Sequence, residues 1–186
     1  MTNNQYIKAF TTISFIFLFA FISLYTIVPP SPDKKTDISK NFSADRAVQH
    51  LNHIAKTAHP SGSVENEKVR NYLVKQLKLM GLQPEIEHSN HASLYPKMLT
   101  GGDMYNVLVK LEGTGSDHAM MMSAHYDSVQ QGPGASDDGS GVAALLETIR
   151  VLKSAPPLKN DIYFVFTDGE EQGLMGAKEF WTKSKH

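Results

Sequence analysis

Cysteine is absent from the 186 residues. Its absence removes a disulfide framework, a thiolate zinc site, a haem-attachment motif and a cysteine nucleophile. It leaves the compartment open, because a domain of this length needs no disulfides to be stable outside the cell. Charge of one sign is also scarce: the formal net charge is −1, and no basic run exceeds a Lys pair. A nucleic-acid partner requires a basic face or stripe, so none is expected. The chain shows no internal repeat and no low-complexity tract.

One long hydrophobic run is present. Ala9 to Val28 carries no charge and is rich in Phe, Ile and Leu. A helix of that length spans about 30 Å, the thickness of a bilayer's hydrocarbon core. Lys8 precedes it, and Pro29-Pro30-Ser-Pro32 ends it. A cleaved signal peptide would show a shorter core and a small-residue cleavage site, and none stands near Val28. The expectation is a retained signal anchor over residues 9–28, behind a flank of residues 1–8. Residues 29–42 read as a tether and residues 43–186 as the globular part. Lys34, Lys35 and Lys40 count against an outward domain under the positive-inside rule. The signal-like position favours a single-pass protein with its domain on the extracytoplasmic side. Secretion after signal cleavage is the alternative.

Along the globular part, Ser43 reads as the N-cap of a helix to about Thr57. Ser63 caps a second helix, with Glu65 and Glu67 in its first turn and Gly81 at its stop. Gln83–Glu87 and Tyr105–Lys110 are strand candidates. Ala119–His125 is almost continuously apolar, as a strand buried on both faces should be. Gly139–Lys153 returns to helical period, Asp161–Thr167 is another strand, and Leu174–Thr182 a final helix. This alternation predicts an α/β domain with parallel neighbours in its second half.

Three segments carry chemistry. In Ser123-Ala-His-Tyr-Asp-Ser-Val129, strand alternation turns His125 and Asp127 one way and Tyr126 the other. Asp127 can fix the His125 tautomer or orient a neighbour. In Gly134-Ala-Ser-Asp-Asp-Gly-Ser-Gly141, two carboxylates stand at a helix start. Asp137 is suited to bridge two cations, and Asp138 to cap the helix. In Thr167-Asp-Gly-Glu-Glu-Gln-Gly173, adjacent glutamates follow a strand and point different ways. One can bind metal while the other takes a proton from water. Taken singly, each segment also has a structural reading: a satisfied strand-end histidine, a pair of capping carboxylates, a solvated acidic loop. His50, His53, His59, His88 and His91 read as surface or loop histidines.

Together these segments resemble the M28 family of zinc aminopeptidases over roughly residues 44–186. The matching features are His125-Tyr-Asp127, Asp137-Asp138-Gly-Ser-Gly141 and Glu170-Glu171-Gln-Gly-Leu174. Ala58-His-Pro-Ser-Gly-Ser63 is similar to the N-terminal region of membrane-anchored members. The resemblance implies a three-layer α/β sandwich with a mixed, largely parallel central sheet. It implies two Zn2+ ions, with His125 a terminal ligand of one, Glu171 of the other, and Asp137 the bridge. Glu170 is then the general base and Asp127 the orienting residue. The substrate is a peptide or protein, and a cis bond is expected at Asp137–Asp138. The family supplies two more ligands, an Asp and a His, with no matching position here. His118, Asp161, Asp168 and His186 are poorly placed to substitute. The segment is therefore expected to be the N-terminal part of the peptidase domain, weak in zinc binding and in turnover on its own. A single-zinc glutaminyl cyclotransferase and a non-catalytic membrane-anchored fragment are the alternative readings.

Overall fold

The computed structural model describes residues 3–29, 31, 39–94, 99–115 and 117–183. The chain divides into two units, residues 1–35 and residues 36–186. Among its described residues the first holds one helix, α1 (Asn3–Ile27), exposed all round from Asn4 on. Its apolar stretch is long enough to cross a membrane.

The second unit begins with α2 (Ala44–Ile54) and α3 (Val64–Leu79). Both caps expected from the sequence form. Ser43 Oγ accepts the Arg46 amide, and Ser63 Oγ accepts the Asn66 amide at 3.1 Å. α3 stops where Gly81 takes φ +75° and Leu82 N–H returns to Leu77 O, the left-handed stop that glycine allows without steric cost. α2 ends at Ile54, three residues before the expected Thr57.

The sheet holds β1 (Glu85–Leu94), β2 (Leu99–Leu111), β3 (Ala119–His125) and β4 (Asp161–Thr167), in the order β1-β2-β4-β3. α4 (Ser140–Ser154) joins β3 to β4, and α5 (Met175–Lys183) follows β4. β3 and β4 are parallel, as the strand–helix–strand order predicts, and His125 pairs with Thr167 at their carboxyl ends. β1–β2 and β2–β4 are antiparallel. The sheet is thus mixed, and its parallel share is confined to β3–β4. The first strands are also longer than the sequence suggests, because they pair with each other through ten rungs from Glu85–Leu108 to Leu94–Leu99. β3 differs from expectation in another way. It lies at the sheet edge with Met120 and Met121 exposed, rather than buried on both faces.

Helices cover both faces. Val107, Val109, Ile162, Phe164 and Phe166 meet Ile54 of α2, Leu73 and Leu77 of α3, and Val142, Leu146 and Ile149 of α4 in one buried cluster. The alternate residue Asn106 points to the opposite face, where its Nδ2 donates to Gly176 O of α5 at 2.9 Å. The three layers of an α/β sandwich follow. Leu77 has no exposed surface. Leu77→Ala leaves a cavity between α3 and the sheet and is expected to cost about 2–5 kcal/mol in urea denaturation. A loss under 1 kcal/mol would show that the helix does not depend on this contact.

Candidate metal centre

Parallel pairing brings the ends of β3 and β4 to the same edge, where ligands collect in open α/β sheets. Tyr126 N–H donates to Thr167 O at 2.9 Å and extends the pairing by one step. Tyr126 turns inward, and its hydroxyl donates to Tyr105 O at 2.6 Å. His125 and Asp127 turn the other way, both buried.

The His125 ring lies between acceptors. Its Nδ1 is 3.1 Å from Asp127 O and 3.4 Å from Asp127 Oδ1. Its Nε2 is 3.0 Å from Asp137 Oδ1 and 3.8 Å from Glu170 Oε2. Nδ1 therefore carries a proton, which leaves Nε2 as the position for a cation. Asp137 is 82% exposed at its side chain, free to meet a ligand from the open side. Among the described residues, His125, Asp137 and Glu171 bring one ligand atom each to within 4.8 Å of one another. Two carboxylates and an imidazole, without sulfur, are a donor set that fits zinc.

Backbone geometry sets these positions. The turn through Ala135–Gly139 starts from Gly134 at φ +60°, and the Asp137–Asp138 bond is cis, as the resemblance implies. A Cβ at Gly134 would meet Asp137 O at 2.8 Å, so this close return requires glycine. Asp138 Oδ1 accepts Gly141 N–H at 3.0 Å and caps α4, leaving Asp137 to face His125. On the other loop, Asp127 accepts Glu170 N–H at 3.0 Å and Glu171 N–H at 3.2 Å. Asp127 thus holds the backbone of both glutamates as well as the histidine ring.

The electrostatics suit a cation. Burial lowers the pKa of His125, but hydrogen bonds to Asp127 and Asp137 and the charge of Glu170 outweigh it and raise it to about 9. Burial raises Glu171, and the charges of Asp137, Asp127 and Glu170 add to this, against His125. With its pKa raised, the ring is protonated at neutral pH before a metal arrives. A metal bound through Nε2 would have to expel that proton, so its affinity is expected to rise with pH until about 9. Calorimetry at about pH 7.5 in buffers of different ionisation enthalpy should show about one proton released per zinc. Heats independent of the buffer would contradict it.

The substitutes weighed from sequence that lie among the described residues stay away. His118 is exposed ahead of β3. Asp161 is bound to Lys110 Nζ at 2.7 Å and to Gly113 N–H at 2.8 Å, at the far end of β4. Asp168 is buried and bonded to Asn66 and Tyr105. His186 lies outside the described residues. His59 lies in a loop, as expected, but it is 2% exposed and not on the surface. Its N–H donates to Ser128 Oγ at 2.8 Å, its carbonyl accepts Ser128 N–H at 3.3 Å, and Nδ1 lies 2.8 Å from Thr57 O. Ala58-His-Pro-Ser-Gly-Ser63 is thereby pinned to the loop after β3. Only the neighbouring Pro-Ser-Gly turn hinted at this, since a backbone clasp leaves no periodic signal.

Residues 106–186 match the profile of Peptidase family M28. The chain is 33% identical to a vacuolar membrane protease of Coprinopsis cinerea over 90% of its length, and 32% identical to endoplasmic reticulum metallopeptidase 1 of Mus musculus over 81%. It spans 18% of the length of each of these relatives. Among solved structures, an aminopeptidase from Aneurinibacillus sp. strain AM-1 superposes with a TM-score of 0.68 at 15% identity, covering 78% of this chain and 67% of that one. The glutaminyl cyclase of Porphyromonas gingivalis gives 0.66 at 24% identity, covering 81% of this chain and 55% of that one. At such identities these two likenesses establish the fold alone. Through residues 106–186 and relatives aligned over most of its length, this chain belongs to peptidase family M28.

Proposed function

We propose that this chain carries part of the active site of a membrane-tethered, zinc-dependent exopeptidase that removes N-terminal residues. The observation that carries this reading is the convergence of His125, Asp137 and Glu171 on one point, with Glu170 beside them. His125, Asp137 and Glu171 would hold the zinc, with Asp137, the residue whose side chain is open to solvent, suited to serve both His125 and Glu171. Zinc, when bound, supplies a Lewis acid for the scissile carbonyl and makes water a competent nucleophile near neutral pH. The rest falls to the chain. Glu170 takes a proton from the attacking water and returns it to the leaving amine as the C–N bond breaks. Asp127 holds His125 and the backbone of both glutamates in register. α1 is placed in the membrane as a single span, with the domain on the extracytoplasmic side. The activity is proposed for the protein in which this segment is joined by the further Asp and His ligands the resemblance implies.

The test uses short peptides with free or acetylated N-termini, before and after chelation and with zinc restored. Cleavage of the free peptides alone, abolished by chelator and recovered with zinc, is expected. Cleavage that ignores the chelator, or conversion of N-terminal Gln peptides to a cyclised product with loss of ammonia, would overturn it.

A further inference from the structure

The loop that carries Glu170 and Glu171 is held by two buried carboxylates, and the proposed chemistry uses only Asp127. The amide one step upstream of Glu170 turns elsewhere: Gly169 N–H donates to Asp168 Oδ1 at 2.9 Å. Asp168 has no exposed surface. A carboxylate taken from water must find donors inside the protein. Its donors come from distant parts of the chain. Asn66 Nδ2, in the first turn of α3, reaches Oδ1 at 3.2 Å. Tyr105 N–H, on β2, reaches Oδ2 at 3.1 Å. The Asp168 backbone is fixed as well, because its N–H donates to Asn106 Oδ1 at 3.1 Å and its carbonyl accepts Gly176 N–H at 3.0 Å.

Asn66 is 1% exposed and held at both ends. Its amide donates to the Ser63 cap at 3.1 Å while its side chain reaches Asp168. One helical turn on, the Arg70 guanidinium lies 4.2 Å from the centre of the Tyr105 ring, and the Tyr105 carbonyl accepts the Tyr126 hydroxyl at 2.6 Å. α3 therefore holds the loop after β4 directly and meets Tyr105 of β2, from outside residues 106–186.

We infer that Asn66 is a positioning residue for the metal centre, acting through Asp168 on the loop that presents Glu170 and Glu171. This rests on the assignment of Glu171 as a zinc ligand. Partners behind the ligands of a metal site set ligand orientation, and losing one costs about 10–100-fold in metal affinity. A purely structural asparagine would instead lower the melting temperature and leave the metal site of the folded protein unchanged.

The experiment compares the full chain with Asn66→Ala, Asn66→Asp and the swap Asn66→Asp/Asp168→Asn. Two readouts are taken: cobalt(II) affinity with its visible absorption spectrum, and amide deuterium uptake over residues 168–174 in the metal-free protein. Asn66→Ala is expected to weaken cobalt binding about 10–100-fold, alter the spectrum and speed uptake in that loop. Asn66→Asp sets two carboxylates face to face and is expected to do the same. Asn66→Ser, neutral and too short to reach Asp168, replaces Asn66→Ala if the latter fails to fold. The swap restores an N–H···O bond between the two side chains with its direction reversed, but loses the Gly169 N–H bond to the same Asp168 oxygen, and is expected to recover the wild-type spectrum and uptake in part. A folded single variant with unchanged affinity, spectrum and uptake overturns the inference. So does a swap no better than Asn66→Asp. If the wild-type chain, which brings together only part of the ligand set, binds no cobalt, uptake alone decides: faster exchange in Asn66→Ala supports the brace and unchanged exchange overturns it.

Discussion

Glu170→Gln is expected to lower kcat by about 10²–10⁴-fold, the usual contribution of a positioned general base, in the protein that carries the complete site. That is about 3–5 kcal/mol in the activation barrier. Gln keeps the size of the side chain and loses the ability to take a proton. Glu170 Oε2 stands 3.8 Å from His125 Nε2, on the same side of the ring as Asp137. Its backbone is fixed through Asp127 independently of the side chain. The substitution should therefore leave zinc content and KM close to wild type. The neighbouring Glu171→Gln should behave in the opposite way, lowering zinc affinity first and turnover as a consequence. Steady-state kinetics with parallel metal analysis separates the two. Wild-type turnover in Glu170→Gln would move the base to another residue.

Gly169→Ala is expected to cost about 2–5 kcal/mol of stability. Gly169 sits at φ +68°, where an L-residue loses about 1–2 kcal/mol. A Cβ there would also run into Met104 Sδ, with Met175 Cβ 3.5 Å away. Met104 is 1% exposed and Met175 has no exposed surface, so neither can swing out to make room. Forcing atoms into packed space adds about 1–3 kcal/mol. Gly169 joins Asp168 to Glu170, so the strain falls on the loop that positions the glutamates. A lower urea midpoint together with weaker metal binding is expected. An unchanged midpoint would mean that Met104 repacks freely.

The parts legible in the sequence were those with local causes. Ser43 and Ser63 accept helix amides, Gly81 supplies the left-handed stop, and Asp138 caps α4, each through a contact a few residues away. The strand ends at His125 and Thr167 were legible because apolar runs stop there and polar motifs begin. Parallel pairing then put the motifs on one edge. The long β1–β2 hairpin was not legible. Its residues Glu85-Ile-Glu-His-Ser-Asn are mostly polar, and pairing between strands, rather than burial, holds them extended. The edge position of β3 was hidden for the opposite reason: Met120 and Met121 are apolar yet exposed, so composition alone suggested a covered strand. Asn66 and Asp168 gave no sign either. An Asn in a first helical turn and an Asp in an acidic loop are both ordinary surface residues until the fold brings them together.

The central claim is that His125, Asp137 and Glu171 form a zinc centre. Diffraction from crystals of the protein with zinc, recorded at the zinc absorption edge, tests it directly. The account predicts an anomalous peak about 2.0–2.2 Å from a carboxylate oxygen of Asp137 and from His125 Nε2 or a Glu171 oxygen. An empty site in fully zinc-loaded crystals, with the metal instead on a surface pair such as His88 and Asp103, would contradict it.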